Sequence, residues 1–99
     1  MSEARPRVLI LGGGIAGLAA AWECHRQDVA CLVLEAQPQA GGVIRTEVAG
    51  PFVLDTGPDA FLASKPGGIT LCRELGIDGD LIPMKPPRGA AIQARVRVP

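Results

Sequence analysis

The stretch that decides the fold is RVLILGGGIAGLAAAWECHRQDVACLVLE, residues 7–35. It begins at residues 7–11 with a branched apolar run that suits a parallel β-strand covered on both faces, and residues 30–34 form a second such run. Between them, residues 15–27 predict a helix. Parallel strands need a crossover connection of this kind. The sequence therefore predicts a βαβ unit and a protein of the α/β class.

A glycine-rich turn joins the first strand to the helix and fits the pattern G-x-G-x-x-G, with Gly12, Gly13, Gly14, Ile15, Ala16 and Gly17 in order. Gly12 permits the tight turn, Gly14 lets a pyrophosphate approach the backbone, and Gly17 lets the helix pack close to the strands. The helix begins with unpaired N–H groups and the positive end of its dipole, which favour a phosphate. The turn therefore predicts a dinucleotide-binding site.

A carboxylate, Glu35, stands at the end of the second strand. Its position is close to the separation of about twenty residues expected after the glycine turn. It can accept hydrogen bonds from both ribose hydroxyls and would repel a 2′-phosphate, so the sequence predicts NAD or FAD rather than NADP. Glycines after a strand often only end it. Here the glycines occur together with the two strands, the helix and the acid. This combination favours a nucleotide-binding turn over a simple strand end.

A second glycine pair follows this acid, at residues 41–42. It is not part of the general dinucleotide pattern, and it lets another backbone segment lie close to a ligand. Residues 44–48 and 52–55 read as the two strands of a hairpin, and residues 66–75 predict a short helix. The expected architecture is the βαβ part of a Rossmann-like domain, followed by a β-hairpin and a short helix.

Four motifs together resemble the flavin-dependent protoporphyrinogen and coproporphyrinogen oxidases, within the amine-oxidase-like flavoprotein superfamily. They are GGGIAGL at residues 12–18, LEA at 34–36, GGVIRT at 41–46 and GPDAF at 57–61, and the resemblance continues through residues 65–66, 74–77 and 88–99. Monoamine oxidases and phytoene desaturases share the first three motifs. The fourth motif and the tail are typical of the porphyrinogen branch.

The resemblance implies a cofactor and its contacts. Residues 12–17 would hold the FAD pyrophosphate, Glu35 and the adjoining Ala36 would lie at the adenosine ribose, and the backbone around Gly42 and Val43 would lie along the cofactor. The turn beside the flavin ring would consist of Gly57, Pro58, Asp59 and Ala60. The resemblance assigns no catalytic side chain and no metal ligand to this chain.

The resemblance also implies an activity for the intact enzyme. The flavin would take hydrides from a porphyrinogen, either protoporphyrinogen IX or coproporphyrinogen III, and pass electrons to molecular oxygen. The products would be hydrogen peroxide and a porphyrin for haem biosynthesis. In such enzymes the cofactor carries the redox chemistry and the protein orients it.

The chain departs from the family pattern at three places. Many superfamily members carry a basic residue directly after the second glycine pair, whereas this chain has Val43 and places its basic residue at Arg45. The first helix ends without the usual glycine, although Asp28 tolerates the left-handed conformation better than most residues. Residues 67–68 are two glycines early in the second helix, where each costs about 0.5–1 kcal/mol relative to alanine.

Length and composition limit the possible functions. A chain of 99 residues forms one domain at most, so residues 1–99 are expected to be a partial FAD-binding domain that lacks the substrate domain. A net charge of zero and an aromatic content of 3% argue against a nucleic-acid surface. The apolar stretch after Arg7 is too short and glycine-rich for a membrane span or secretion signal. A cytoplasmic protein is expected, with peripheral membrane association implied by the resemblance alone.

Two alternatives remain open at this stage. An amine oxidase or a carotenoid desaturase would share every motif through Thr46. A truncated, non-catalytic module that binds a nucleotide weakly, or not at all, would carry the same glycine turn. The sequence beyond Pro99 and the identity of the bound cofactor discriminate between these readings.

Overall fold

The structure is a computed structural model that describes residues 5–83 and 93–96. It divides into two compact units, of which the first ends at Pro58 and the second begins at Asp59. The described residues include no helix that is both long enough and apolar enough to cross a membrane.

The first unit contains the predicted βαβ arrangement. Strand β1 (Val8–Leu11) is followed by helix α1 (Ile15–Arg26) and strand β2 (Cys31–Leu34). The two strands are parallel, with Val8 opposite Cys31 and Leu11 opposite Leu34. The Gly12 N–H donates to the Leu34 carbonyl at 2.8 Å, which continues the ladder into the glycine turn. The predicted α/β fold class is confirmed.

Helix α1 ends without a glycine because an aspartate takes the left-handed conformation. Asp28 has a φ of 57°, the one positive φ among the described residues other than glycine. The Val29 N–H then donates to the Cys24 carbonyl at 2.8 Å, and the Arg7 N–H donates to the Ala30 carbonyl at 2.8 Å. These bonds use the last carbonyls of the helix and start the sheet, so the chain turns into β2 directly.

The predicted hairpin is present, but its first strand begins later than expected. Strand β3 (Thr46–Ala49) pairs with the antiparallel strand β4 (Phe52–Asp55). The expectation of a strand over residues 44–48 was wrong at its start. The Ile44 N–H donates to the Gly41 carbonyl at 3.0 Å, so the chain is still turning at Ile44.

One face of the β1–β2 sheet carries α1, and the other carries exposed leucines. A Cβ built on Gly17 of the helix would lie 3.3 Å from Ile10, so Ile10 faces the helix. The Cys31 thiol, on the same face, approaches the Ala21 carbonyl at 4.0 Å. Side chains alternate along a strand. The opposite face therefore consists of Leu9, Leu11, Leu32 and Leu34, which are 61%, 82%, 45% and 46% exposed.

The second unit contains a small antiparallel sheet that sequence patterns did not predict. Its elements are β5 (Ala60–Leu62), α2 (Pro66–Glu74), a short 3-10 helix (Asp78–Asp80), β6 (Leu81–Pro83) and β7 (Gln93–Val96), with strand order β5-β7-β6. Among the described residues, Cys72 of α2 is the one apolar side chain that is buried, with 7% of its surface exposed. Of the tail that carried part of the resemblance, residues 88–92 and 97–99 lie outside the described residues.

The two glycines of α2 have different surroundings. A Cβ on Gly68 would lie 2.8 Å from the Phe61 ring, whereas a Cβ on Gly67 would have nothing within 4 Å. Close packing of Phe61 against the helix therefore explains the second glycine. The first has no such contact among the described residues, and it only weakens the helix.

This difference predicts opposite effects of two matched substitutions. Gly67→Ala should stabilise the second unit by up to about 1 kcal/mol, because it removes the helix penalty of glycine without a clash. Gly68→Ala should destabilise it by about 1–3 kcal/mol, because the Phe61 ring must move. Urea unfolding of both variants measures the two shifts. Equal effects would contradict the packing of Phe61 on Gly68.

Candidate cofactor-binding site

The glycine turn lies at the carboxyl end of β1, directly before α1. Gly12 has a φ of +100°, a conformation that side chains other than glycine rarely adopt. Gly14 is the N-cap of α1 with an extended backbone, φ −76° and ψ −174°, and as a glycine it has no side chain to bond the first amides. Ile15 and Ala16 follow at the exposed start of the helix. The first turn therefore presents its N–H groups and dipole to a ligand rather than to a capping side chain.

Gly17 brings the helix against the turn. A Cβ on Gly17 would collide with the carbonyl oxygen of Gly12 and lie 3.0 Å from the Gly12 carbonyl carbon. Both atoms are backbone, so neither can rotate away. The predicted mechanical role of this glycine agrees with the geometry.

Glu35 connects the glycine turn to the loop after β2. One carboxylate oxygen, Oε1, accepts the Gly13 N–H at 2.9 Å, and the other, Oε2, accepts the Gln37 N–H at 2.9 Å. The side chain is half-exposed. A carboxylate has about four lone-pair positions. Each oxygen can thus accept one more hydrogen bond, for example from a hydroxyl group of a ligand.

These bonds lower the pKa of Glu35. The Gln37 N–H has the largest effect, the Gly13 N–H has the next, and the charge of Arg45 contributes further in the same direction. Both backbone donors interact more strongly with the ionised form. The carboxylate is therefore ionised at neutral pH, as an acceptor for hydroxyl donors requires.

The second glycine pair lies against the first glycine turn. The Gly41 N–H donates to the Gly13 carbonyl at 2.8 Å. A Cβ on Gly42 would lie 3.2 Å from the Gly14 Cα, and Gly42 itself has a φ of +59°. The backbones of the two glycine segments thus approach each other more closely than side chains would allow.

The fourth motif, GPDAF, is held against the third, GGVIRT, by Gly57. A Cβ on Gly57 would collide with the carbonyl oxygen of Val43, and the Thr56 N–H donates to the Arg45 carbonyl at 3.0 Å. The structure thus brings Val43 and Gly57 together at the end of the hairpin. Pro58 is exposed at the end of the first unit.

The remaining predicted residues are Asp59, Ala60 and Ala36. Asp59 and Ala60 open the second unit, where Asp59 is exposed and Ala60 is half-buried in β5. Ala36 is exposed beside Glu35.

Three neighbours of the site were not among the predicted site residues. Gly41 has a φ of +119° and bonds the glycine turn, Gln37 donates its N–H to Glu35, and the Arg45 Nε donates to the Gly42 carbonyl at 3.1 Å. Gly41 could have been included, because it is half of the conspicuous glycine pair. The role of Gln37 carries no sequence signal, since it acts through its backbone N–H. Arg45 is the displaced basic residue noted in the sequence, and only the fold brings its charge near Glu35.

The lowered pKa of Glu35 predicts an acid-sensitive contribution to stability. Because the folded pKa lies below the ordinary value, this contribution is fully present above the ordinary value and is lost as the pH falls through the folded one. Glu35→Gln removes this contribution. The amide also points its NH2 group, which is a donor, at one of the two backbone N–H groups that Glu35 accepts. Urea unfolding between about pH 3 and pH 7 should show a smaller loss on acidification in the variant than in the parent chain. Parallel pH profiles would contradict the two bonds.

Comparisons with known proteins agree with this geometry. A family model described as "NAD(P)-binding Rossmann-like domain" matches residues 10–75. The chain is 36% identical over 75 residues to the coproporphyrinogen III oxidase of Propionibacterium freudenreichii, covering 76% of this chain and 14% of that protein.

Two solved structures are similar in both fold and sequence. A protein provisionally named protoporphyrinogen oxidase, from Exiguobacterium, matches with a TM-score of 0.71 and 32% identity over 86% of this chain and 20% of its own. A putrescine oxidase bound to putrescine matches with a TM-score of 0.70 and 30% identity over 82% of this chain and 17% of its own.

The chain therefore spans a fifth or less of the length of these relatives. The resemblance to porphyrinogen oxidases that the motifs predicted is confirmed. The matched segment contains the glycine turn, Glu35 and the second glycine pair. From the extent of this match, the chain belongs to the NAD(P)-binding Rossmann-like domain family.

Proposed function

We propose that this chain forms the FAD-binding part of a porphyrinogen oxidase. The reaction is oxidation of coproporphyrinogen III or protoporphyrinogen IX to the porphyrin, with molecular oxygen as acceptor, in haem biosynthesis. The observation that carries the proposal is the 36% identity to a coproporphyrinogen III oxidase over 75 residues, which cover 76% of this chain. The proposed location is the cytoplasm, with peripheral contact to the membrane surface.

The adenosine half of FAD fits the residues that are present. The α1 N terminus, capped by a glycine, would receive the pyrophosphate, and Glu35 retains lone pairs for the ribose hydroxyls. A Cβ on Gly14 would lie 3.9 Å from the Gly42 Cα, so the two glycine segments meet without side chains between them. The Arg45 charge near Glu35 offsets part of the negative charge in this region.

The isoalloxazine half would lie along Val43 and the turn of Gly57, Pro58, Asp59 and Ala60. Gly57 packs on the Val43 backbone, and Pro58 presents no N–H. FAD supplies the redox chemistry when it is bound, and this chain binds and orients it. We assign no catalytic side chain and no metal ligand. The described residues contain no group of three or more His, Cys, Asp or Glu side chains that could hold a metal.

A second candidate is an amine oxidase. The similarity to a putrescine oxidase, with a TM-score of 0.70, favours it over the carotenoid desaturases. The glycine turn and Glu35 would serve the same cofactor in that case. The distinction lies in the substrate.

The test uses a protein of the relatives' length that contains residues 1–99. We expect it to be purified yellow, to release FAD on denaturation, and to produce porphyrin fluorescence from coproporphyrinogen III or protoporphyrinogen IX only when oxygen is present. Release of NAD or of FMN alone would contradict the cofactor assignment. Oxidation of amines but of neither porphyrinogen would favour the second candidate, and a protein without any bound nucleotide would favour a non-catalytic module.

Glu35→Gln tests the ribose contact in that same protein. The amide keeps the shape of the carboxylate but loses its charge-assisted hydrogen bonds, so the Kd for FAD should rise on the order of tenfold. Titration of the apoprotein with FAD, followed by flavin fluorescence, measures the change. An unchanged Kd would show that Glu35 does not contact FAD. The proposed activity is tested separately, by the porphyrin fluorescence assay.

A further inference from the structure

Two of the three cysteines lie together on the face of the sheet that carries α1. Cys24 is in the last turn of the helix and Cys31 is the first residue of β2. Both are half-buried, and both are free thiols. The Val29 N–H bond to the Cys24 carbonyl, at 2.8 Å, turns the chain back so that the helix end meets the strand start.

The position of the Cys31 sulfur agrees with this placement. The Cys31 thiol approaches the Ala21 carbonyl at 4.0 Å, and Ala21 precedes Cys24 by one helical turn on the same side of α1. Burial raises the pKa of the Cys24 thiol, and the neighbouring Cys31 raises it further through its charge and a hydrogen bond. Each thiol is therefore part of the other's immediate surroundings.

We propose that Cys24 and Cys31 are an oxidative modification site that closes to an intramolecular disulfide when the protein meets a peroxide. The third cysteine, Cys72, is buried in α2 of the second unit and is not part of this pair. The proposal does not depend on the porphyrinogen oxidase assignment, because it rests on the βαβ unit alone.

The reaction is balanced with hydrogen peroxide as the oxidant. One cysteine sulfur attacks a peroxide oxygen, the O–O bond breaks, and the departing hydroxide takes a proton to form water, which leaves a sulfenic acid. The second sulfur attacks the sulfenic sulfur, the S–S bond forms, and the second hydroxide leaves with the remaining thiol proton as water. Two thiols are oxidised by two electrons, and one peroxide is reduced to two waters.

The position of the bond predicts its effect. Helix α1 runs from the glycine turn back along the sheet, so its last turn and the start of β2 lie at the end of the βαβ unit away from that turn. A bond there would join α1 to β2 without touching the glycine segments or Glu35. The closed form should therefore unfold at a higher urea concentration than the reduced form, because the cross-link restricts the unfolded chain.

The experiment treats the reduced chain with hydrogen peroxide under native conditions and maps the thiols by mass spectrometry. Trypsin cleaves after Arg26, which lies between the two cysteines, so the disulfide would join two tryptic peptides with a mass about 2 Da below their sum. We expect this linked pair in the parent chain and in Cys72→Ser. Cys24→Ser and Cys31→Ser should not form it.

An equilibrium measurement separates proximity in the fold from random collision. In a glutathione redox buffer, the linked pair should be favoured at least about tenfold more under native conditions than in concentrated urea, because the fold raises the effective concentration of one thiol at the other. Equal equilibrium constants would overturn the proposal. Disulfides to Cys72, cross-links between molecules, or separate sulfinic acids as the main products would also overturn it.

Discussion

Gly17→Ala should abolish the native βαβ unit. A Cβ at this position would collide with the Gly12 carbonyl oxygen and would also lie 3.3 Å from Ile10. Since the nearest atoms belong to the backbone of the glycine turn, α1 can accept the methyl group only by moving away from β1. Such overpacking costs about 3 kcal/mol or more, a large part of the stability of a small domain.

The control for this prediction is Gly14→Ala. A Cβ on Gly14 would lie 3.9 Å from the Gly42 Cα, which is ordinary van der Waals contact, and the φ of −76° suits alanine. We expect Gly14→Ala to keep the amide hydrogen-exchange protection of β1 and β2, and Gly17→Ala to lose it. Similar protection in both variants would contradict the close packing of α1 on the turn.

Gly14→Val should separate folding from cofactor binding. The extended backbone of Gly14 can accommodate a β-branched side chain, but the branch would stand at the α1 N terminus, where we place the FAD pyrophosphate. The expected result is a rise in the FAD Kd of about 10- to 100-fold, corresponding to about 1–3 kcal/mol of steric cost. The effect should exceed that of Glu35→Gln.

The measurement is FAD titration of the apoprotein at the relatives' length, together with its circular dichroism. Retained secondary structure with lost flavin binding is the expected combination. Gly67→Ala is the matched control, because it adds a side chain at a glycine in α2 with open space around it. It should bind FAD like the parent protein. Normal flavin binding by Gly14→Val would place the pyrophosphate elsewhere.

Much of the first unit could be predicted from local patterns. Apolar runs predicted β1 and β2, and a run of small side chains predicted α1. Strand and helix patterns depend on residues that are close in the chain, so the sequence alone shows them. The left-handed conformation of Asp28 was also anticipated from its residue type. The start of β3 was predicted too early, since the turn at Gly41 and Ile44 depends on a backbone hydrogen bond that the apolar pattern does not show.

The second unit was predicted less well because its sheet is not local. Phe61 lies opposite Ala94 in the β5–β7 pair, and no periodicity in either segment identifies the other. Gly68 could not be explained from the sequence either, because a glycine is unfavourable in a helix. The Phe61 ring explains this glycine, and only the folded chain places that ring against α2.

The sequence by itself determined the α/β class and the order of β1, α1 and β2, and it marked the glycines and the acid that we propose as the dinucleotide site. Each follows from residue chemistry at short range. Only the tertiary structure decided that Glu35 bonds Gly13, and that Gly57 packs on Val43. These contacts join segments that are distant in the chain, so they depend on how the whole unit folds, and a one-dimensional pattern does not contain that information.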